Sequence, residues 1–371
     1  MFIHYSLIIA VLLFNLAVVA IALLRQCIGY LAKYSTLALI LLALLGALRL
    51  VLPLSFPHIT IVINSYVILP NIVTFLRTDI WLGTSRFELQ NLLLMAWGCG
   101  FLFMLFRTIC KVRRFNSFQK LYRFSDSTAA NKIAQELELK NVRIAVSQDV
   151  VVPYITGVFR TWIYLPDVEM PKAEFEMILK HEYQHFKSRD LAIKLFYLSL
   201  SIVLWWNPFV HVFQRELDNL LEIHCDEVMT KCMSNKEKAT YLSALAFITD
   251  YIDFRDSGSP ATVSSLVRAE KDSNFMSQRV KLIKGENKST LKQLVSIVLV
   301  VMVFFASFMF VVQPLHLVPD DELFVITPEN AHIVLAVDGT YRLYVYEQFV
   351  FELPPILIET DQRFENLTII R

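Results

Sequence analysis

The clearest chemical signal in the sequence is the run His181-Glu182-Tyr183-Gln184-His185, the pattern H-E-x-x-H. On a helix, residues four apart share one face, one turn above the other. Two neutral imidazoles in that arrangement can take two corners of a tetrahedral zinc site. Glu182 lies beside the metal, where its carboxylate can accept a proton from a zinc-bound water. The surroundings favour a helix. Pro171 suits a first turn, and Phe175, Ile178, Leu179 and the two histidines recur at helical spacing. The bare pattern also occurs on ordinary surface helices, so it calls for a second feature.

Glu222, in Glu222-Ile223-His224-Cys225-Asp226, supplies it. A catalytic zinc takes three protein ligands and keeps one position open for water. Asn207-Pro208 is a good helix start, and a helix from Phe209 to about Met229 puts Glu222 and Asp226 on one face. Glu222 is the expected third ligand. Asp226 is expected to hold a ligand histidine from behind, setting its tautomer and ring orientation. His224 and Cys225 are metal-ligating types too, but lie off the Glu222/Asp226 stripe.

H-E-x-x-H followed by E-x-x-C-D, with Asn207-Pro208 between them, resembles the BlaR/MecR-type antirepressor metallopeptidases, which are integral-membrane gluzincins. Pro153 to Gly157 followed by Ile163-Tyr164-Leu165-Pro166 is similar to a further segment of that family, with Thr161 where a second proline is usual. The resemblance covers residues 1–313 in architecture and 120–285 in motif detail. It implies Zn2+ on His181, His185 and Glu222, with Glu182 as general base. It also implies a peptide or protein substrate, such as a cytosolic transcriptional repressor, and self-cleavage within about 254–280. In gluzincins an extended peptide adds to an open strand edge ahead of the zinc helix, and residues 151–166, including Gly157 as a substrate-binding residue, occupy that place.

The chain as a whole is built for a bilayer. It is 55% hydrophobic and only 19% charged, with a mean hydropathy of +0.49, far from the balance of a soluble domain. Residues 5–24, 35–55, 89–109 and 293–313 are each long and apolar enough to cross about 30 Å of hydrocarbon. The first lacks a basic start and an A-x-A-like cleavage site, so it reads as a retained helix rather than a signal peptide. Arg25 and Lys33, then Arg107, Lys111, Arg113 and Arg114, then Arg279, Lys281, Lys284, Lys288 and Lys292 flank these runs. Placed on the cytosolic side, they leave both termini external. All five cysteines then lie in the bilayer or the cytosol, and no disulfide framework is implied.

The expected fold is a membrane protein with four transmembrane helices, a cytosolic α+β zincin-like (gluzincin) domain between helices 3 and 4, and a small external β-rich tail. Residues 1–110 hold three transmembrane helices, 111–292 the metallopeptidase domain, 293–313 the fourth helix and 314–371 the tail. Within the domain, helices are expected at 128–139 and 236–253, and strands at 142–146, 150–154 and 162–165. The apolar run 191–206 cannot be a fifth span, because a single crossing there would part the histidines from Glu222. It reads as a buried or re-entrant helix with Trp205 and Trp206 near the interface. Residues 56–88 are an external loop. The tail contains no serine, lysine or cysteine, so it offers no acylatable S-x-x-K motif. Asp338-Gly339 between two alternating apolar strands signals a hairpin for an unknown external ligand or partner.

The function these features support is a zinc endopeptidase in the bacterial cytoplasmic membrane, working in regulated signalling. A constitutive HtpX-like membrane protease and a non-catalytic receptor or scaffold are the alternatives; an intact Glu182 argues against the last. The net charge of +1 gives no case for a polyanion, and no direct nucleic-acid partner is expected. Four residues are candidates to stabilise the oxyanion: His211, Arg215, His224 and Tyr241.

Overall fold

Apolar runs without internal breakers become helices, and their ends fall where charge or strand-forming residues begin. A computed structural model describes residues 2–51, 61–65, 72, 75–82, 85–122, 128–157, 160–256, 273–285, 289–314, 328, 331–336, 340–345, 348–353, 358, 364 and 367–370. Helix α1 (Phe2–Gln26) leads through the short α2 (Ile28–Lys33) to α3 (Thr36–Val51). Helix α4 (Leu89–Tyr122) runs well beyond the apolar stretch, so Lys111, Arg113 and Arg114 extend the same helix. By length and composition, Ile9–Gln26 of α1 and Leu89–Ser117 of α4 can cross a membrane, and α3 is a shorter apolar helix.

The fourth apolar run differs from expectation. Its helix ends at Ala306, and Phe310–Pro314 form a strand paired in parallel with Ile61–Ser65. The β-branched Val311-Val312 pair favours an extended chain, and Pro314 cannot continue a helix.

Two units make up the chain: residues 6–56 with 94–309, and residues 1–5, 57–93 and 310–371. The second unit contains β1 (Ile61–Ser65), a β2 (Asp79–Leu82)/β3 (Ser85–Glu88) hairpin in the expected loop, and a four-stranded sheet. In that sheet β8 (Ala331–Leu335) and β9 (Tyr341–Val345) pair antiparallel, flanked by β11 (Thr368–Ile370) and β10 (Gln348–Leu353). Ala331, Ile333, Leu343 and Val345 turn one face inward onto Phe364 and Leu367. The Asp338-Gly339 turn lies outside the described residues.

The first unit holds the candidate site. After α5 (Thr128–Glu136) come β4 (Val142–Ser147), β5 (Tyr154–Thr156) and β6 (Thr161–Pro166), in the order β4-β6-β5. Within residues 151–166 the sheet puts the open edge on β5 and not on β6. β6, the strand before the zinc-motif helix, is central and buried along its whole length, and β5 is the edge. Of the expected strand at 150–154, only Tyr154 is in β5. Gly157 makes the β5–β6 turn: at φ +84° a Cβ there would stand 2.2 Å from the Arg160 carbonyl oxygen.

Helix α6 (Lys172–Lys187) packs Met177, Ile178 and Leu179 against Ile144, Ile163 and Leu165 of the sheet and Tyr241 of α9 (Asn235–Asp256). Helices α7 (Asp190–Val203) and α8 (Pro208–Thr230) form a hairpin whose turn is closed by Asn207, its side chain accepting from the Phe209 N–H at 3.0 Å. The apolar faces of this hairpin share one core with α1 and α3, including Phe14, Ile21, Leu39, Leu200, Phe213 and Leu220. The run at 191–206 is therefore one arm of a hairpin. Helix α10 (Ser273–Lys284) and helix α11 (Thr290–Ala306) complete the unit.

Candidate metal centre

His181 and His185 lie on the buried face of α6, their rings edge-on with centroids 4.7 Å apart. Their Nε2 atoms approach to 3.1 Å. The Glu222 carboxylate, from the middle of α8, completes the triangle: Oε2 is 3.3 Å from His181 Nε2 and Oε1 is 3.4 Å from His185 Nε2. Two ligand atoms each about 2.05 Å from a tetrahedral metal are separated by about 3.3 Å. The distance between the rings and the distance from each ring to its nearer carboxylate oxygen are close to that spacing, so two imidazoles and a carboxylate of this type suit a metal ion of that size.

Each ring is held by its other nitrogen. His185 Nδ1 stands 2.6 Å from Asp190 Oδ2, a buried carboxylate at the start of α7. Arg189, in the left-handed region at φ 56°, makes the sharp turn that brings Asp190 back onto the histidine. A carboxylate can only accept, so Nδ1 carries the proton and Nε2 presents its lone pair. His181 Nδ1 faces the Tyr241 hydroxyl at 2.8 Å, and that hydroxyl donates to Asp226 Oδ1 at 2.6 Å. Asp226 is itself gripped by Arg279 of α10, through Nε at 2.7 Å and Nη2 at 2.9 Å.

This arrangement corrects the role expected of Asp226. It is 3.8 Å from His181 Nδ1, too far for a hydrogen bond, and acts on the ring through Tyr241. Tyr241 is thereby removed from the oxyanion candidates, since its hydroxyl lies on the Nδ1 side of His181. Of the other candidates, His211 is exposed, and Arg215 is exposed beside Glu216.

A second donor set competes with Glu222: His181, His185 and Cys225 also offer atoms within 4.8 Å of one another. The two sets differ in which nitrogen of His181 they approach. Cys225 Sγ sits 3.4 Å from His181 Nδ1, the nitrogen facing Tyr241, and 3.6 Å from the His181 carbonyl oxygen. A metal at the Nε2 atoms meets the Glu222 carboxylate, whereas the Cys225 thiol approaches His181 from Nδ1.

The electrostatics follow from burying these charges together. Burial opposes ionisation of Glu222, but the two histidines and Arg279 outweigh it and hold the carboxyl well below its usual range. Burial likewise opposes a charge on His181, yet Cys225 and Glu222 push it up to about 10 in the metal-free protein. Burial pushes Glu182 up, which makes its carboxylate a stronger base.

The family model of the BlaR1 peptidase M56 matches residues 3–283. The chain belongs to the BlaR1 peptidase M56 family. That family brings an expectation of metallopeptidase-type activity. Among its relatives, the methicillin resistance mecR1 protein of Staphylococcus aureus is 26% identical over 178 residues, covering 44% of this chain and 30% of that protein. The regulatory protein BlaR1 of Bacillus licheniformis is 37% identical over 91 residues, covering 24% of this chain and 15% of that protein. The chain thus matches less than a third of the length of either M56 relative.

Asp190 and Arg279 are the site residues that sequence reasoning missed. Asp190 carries a weak signal, an acid five residues after His185 in a run otherwise basic and polar. Arg279 had been counted as a flanking charge. Its signal was the buried stripe Phe275-Arg279-Ile283 at helical spacing.

Proposed function

We propose that this protein is an integral-membrane zinc endopeptidase that hydrolyses peptide bonds on the cytosolic side in regulated signalling. The observation that carries the reading is the meeting of His181 Nε2 and His185 Nε2, 3.1 Å apart, with the Glu222 carboxylate, which turns one oxygen to each ring at 3.3 and 3.4 Å beside the buried Glu182. When bound, zinc supplies a water of lowered pKa and a positive charge for the carbonyl oxygen. Glu182 accepts the proton of the attacking water on its carboxylate and passes it to the leaving nitrogen. Asp190 keeps the His185 Nε2 lone pair aimed at the metal. Arg279 and Asp226 do the same for His181 by fixing the Tyr241 hydroxyl.

The regulated reading draws on the names of the relatives, a regulatory protein and a resistance protein. A cytosolic transcriptional repressor, cleaved in an antirepressor-like step, is the substrate we favour. Helices α1, α3, α4 and α11 cross the cytoplasmic membrane in this reading, with the metal domain cytosolic and both termini outside. The remaining exposed cations, from Lys33 and Arg107 to Lys292, support that orientation without Arg279, whose charge is used inside the protein.

The test is the metal content of the detergent-purified protein. About one zinc per chain is expected, sharply reduced in Glu222→Ala and retained in an inactive Glu182→Ala. A wild-type protein that is folded but binds no zinc would sink the enzyme reading.

A further inference from the structure

The α7–α8 turn is held at a particular depth along two other helices. Asn207 Nδ2 donates to Asn15 Oδ1 at 2.9 Å, and Asn15 is midway along α1. On the other side, Trp97 Nε1 donates to the Val203 carbonyl at 3.0 Å, and Trp205 Nε1 donates to the Trp97 carbonyl at 3.3 Å. The Trp205 ring lies so close over Gly100 of α4 that a Cβ there would come within 2.2 Å of its carbons. Trp97 and Gly100 fall in the apolar middle of α4. Helices α1 and α4, the two among the described residues that are long and apolar enough to cross a membrane, therefore grip the turn near the middle of their apolar lengths.

The turn's backbone is fitted for such a place. In hydrocarbon every freed N–H and C=O must find a protein partner. At the end of α7, Trp97 takes the Val203 carbonyl and the Asn207 N–H takes Leu204 O at 2.8 Å. At the start of α8, the Asn207 side chain takes the Phe209 N–H. Leu195, Val203 and Trp206, on the outside of the hairpin, are exposed and apolar, as are Leu12, Leu16 and Leu23 of α1.

Charge appears at a consistent height above this turn. At 1.5 Å per helical residue, Arg25 is about 15 Å beyond Asn15, Glu216 about 14 Å beyond Asn207, and Lys194 about 15 Å before Leu204. Lys111 is about 16 Å beyond Gly100 by the same measure. The earlier cations, Arg107 and Arg215, fall about 10–12 Å out, within reach of snorkelling. Half of a hydrocarbon core is about 15 Å. Arg25 meets Glu216 and, through Nη1 at 3.2 Å, Gln278, so two of these rulers are locked at the same level. Glu222 stands six residues beyond Glu216, about 7–9 Å outside the hydrocarbon and level with the headgroups.

We propose that α7–α8 is a half-membrane insertion with its turn near the bilayer midplane, which sets the metal centre level with the lipid headgroups. Trp205 and Trp206 are thus deep, not interfacial as the sequence suggested. The depth of the hairpin does not rest on the peptidase reading.

The depth can be tested in proteoliposomes of the full chain. Fluorescence of wild type minus that of Trp206→Phe reports Trp206. Lipids brominated deep in the acyl chain should quench this difference more than lipids brominated near the headgroup or aqueous iodide. Strongest quenching by iodide or by the shallow bromine overturns the insertion.

Discussion

Arg279 offers the sharpest test of how the centre is built. Its guanidinium is buried at 1% exposure and bonded through two nitrogens to Asp226, itself 2% exposed. Replacing Arg279 by Met removes one partner and leaves Asp226 as a desolvated carboxylate with only the Tyr241 hydroxyl. Breaking a buried pair from one side costs about 3–5 kcal/mol. At roughly 2–4 °C per kcal/mol for a domain of 150–250 residues, the melting temperature in detergent should fall by about 6–20 °C. Removing both charges, in Arg279→Met/Asp226→Leu, should recover at least half of that loss, because a well-packed apolar replacement of a buried pair is about neutral. The double variant should nonetheless bind zinc about 10–100-fold more weakly, since Tyr241 is no longer oriented for His181. Melting curves of the four-variant cycle, with zinc affinity from chelator competition, separate the two effects. If Arg279→Met alone lowers the melting temperature by less than about 3 °C, the pair is not desolvated and the reasoning is wrong.

Three further outcomes follow from the same geometry. Cys225→Ser should keep its zinc, and the cobalt-substituted wild type should lack a thiolate charge-transfer band; loss of metal in Cys225→Ser would instead select the His181/His185/Cys225 set. Asp190→Asn should weaken zinc binding by about 10–100-fold while leaving the fold intact, because the amide no longer enforces the Nδ1–H tautomer of His185; unchanged affinity would count against that hydrogen bond. The charges around the metal-free site hold His181 up at about 10 and His185 also above its ordinary value. His181 is then protonated at pH 7.5, below that raised value, and must lose a proton to bind metal. Calorimetry in two buffers of different ionisation enthalpy should therefore show at least one proton released per zinc, with affinity climbing as pH rises. Zero release would mean that the His181 ring is neutral beforehand.

The sequence by itself determined the parts whose physics is local. H-E-x-x-H forces His181 and His185 onto one helix face, and Asn207-Pro208 starts a helix that carries Glu222 and Asp226 on one stripe. The apolar runs mark the helices that lipid or core must cover. Tertiary structure decided everything that depends on which faces meet. Nothing local distinguishes Arg279 from Lys281 or Lys284, because burial of a cation is decided by a carboxylate 53 residues away. Asp226 and Tyr241 each looked fit for a different task until packing of α9 against α6 placed the hydroxyl between carboxylate and imidazole. Strand order was equally hidden: β5 and β6 read alike in sequence, and pairing with β4 made β6 central. The apolar run at 191–206 could be barred from crossing by the logic of the ligands. Its depth, however, was set by three non-local contacts, Asn15 on Asn207, Trp97 on Val203 and Trp205 on Gly100, since hydropathy records how apolar a segment is and not how far along a neighbouring helix it rests.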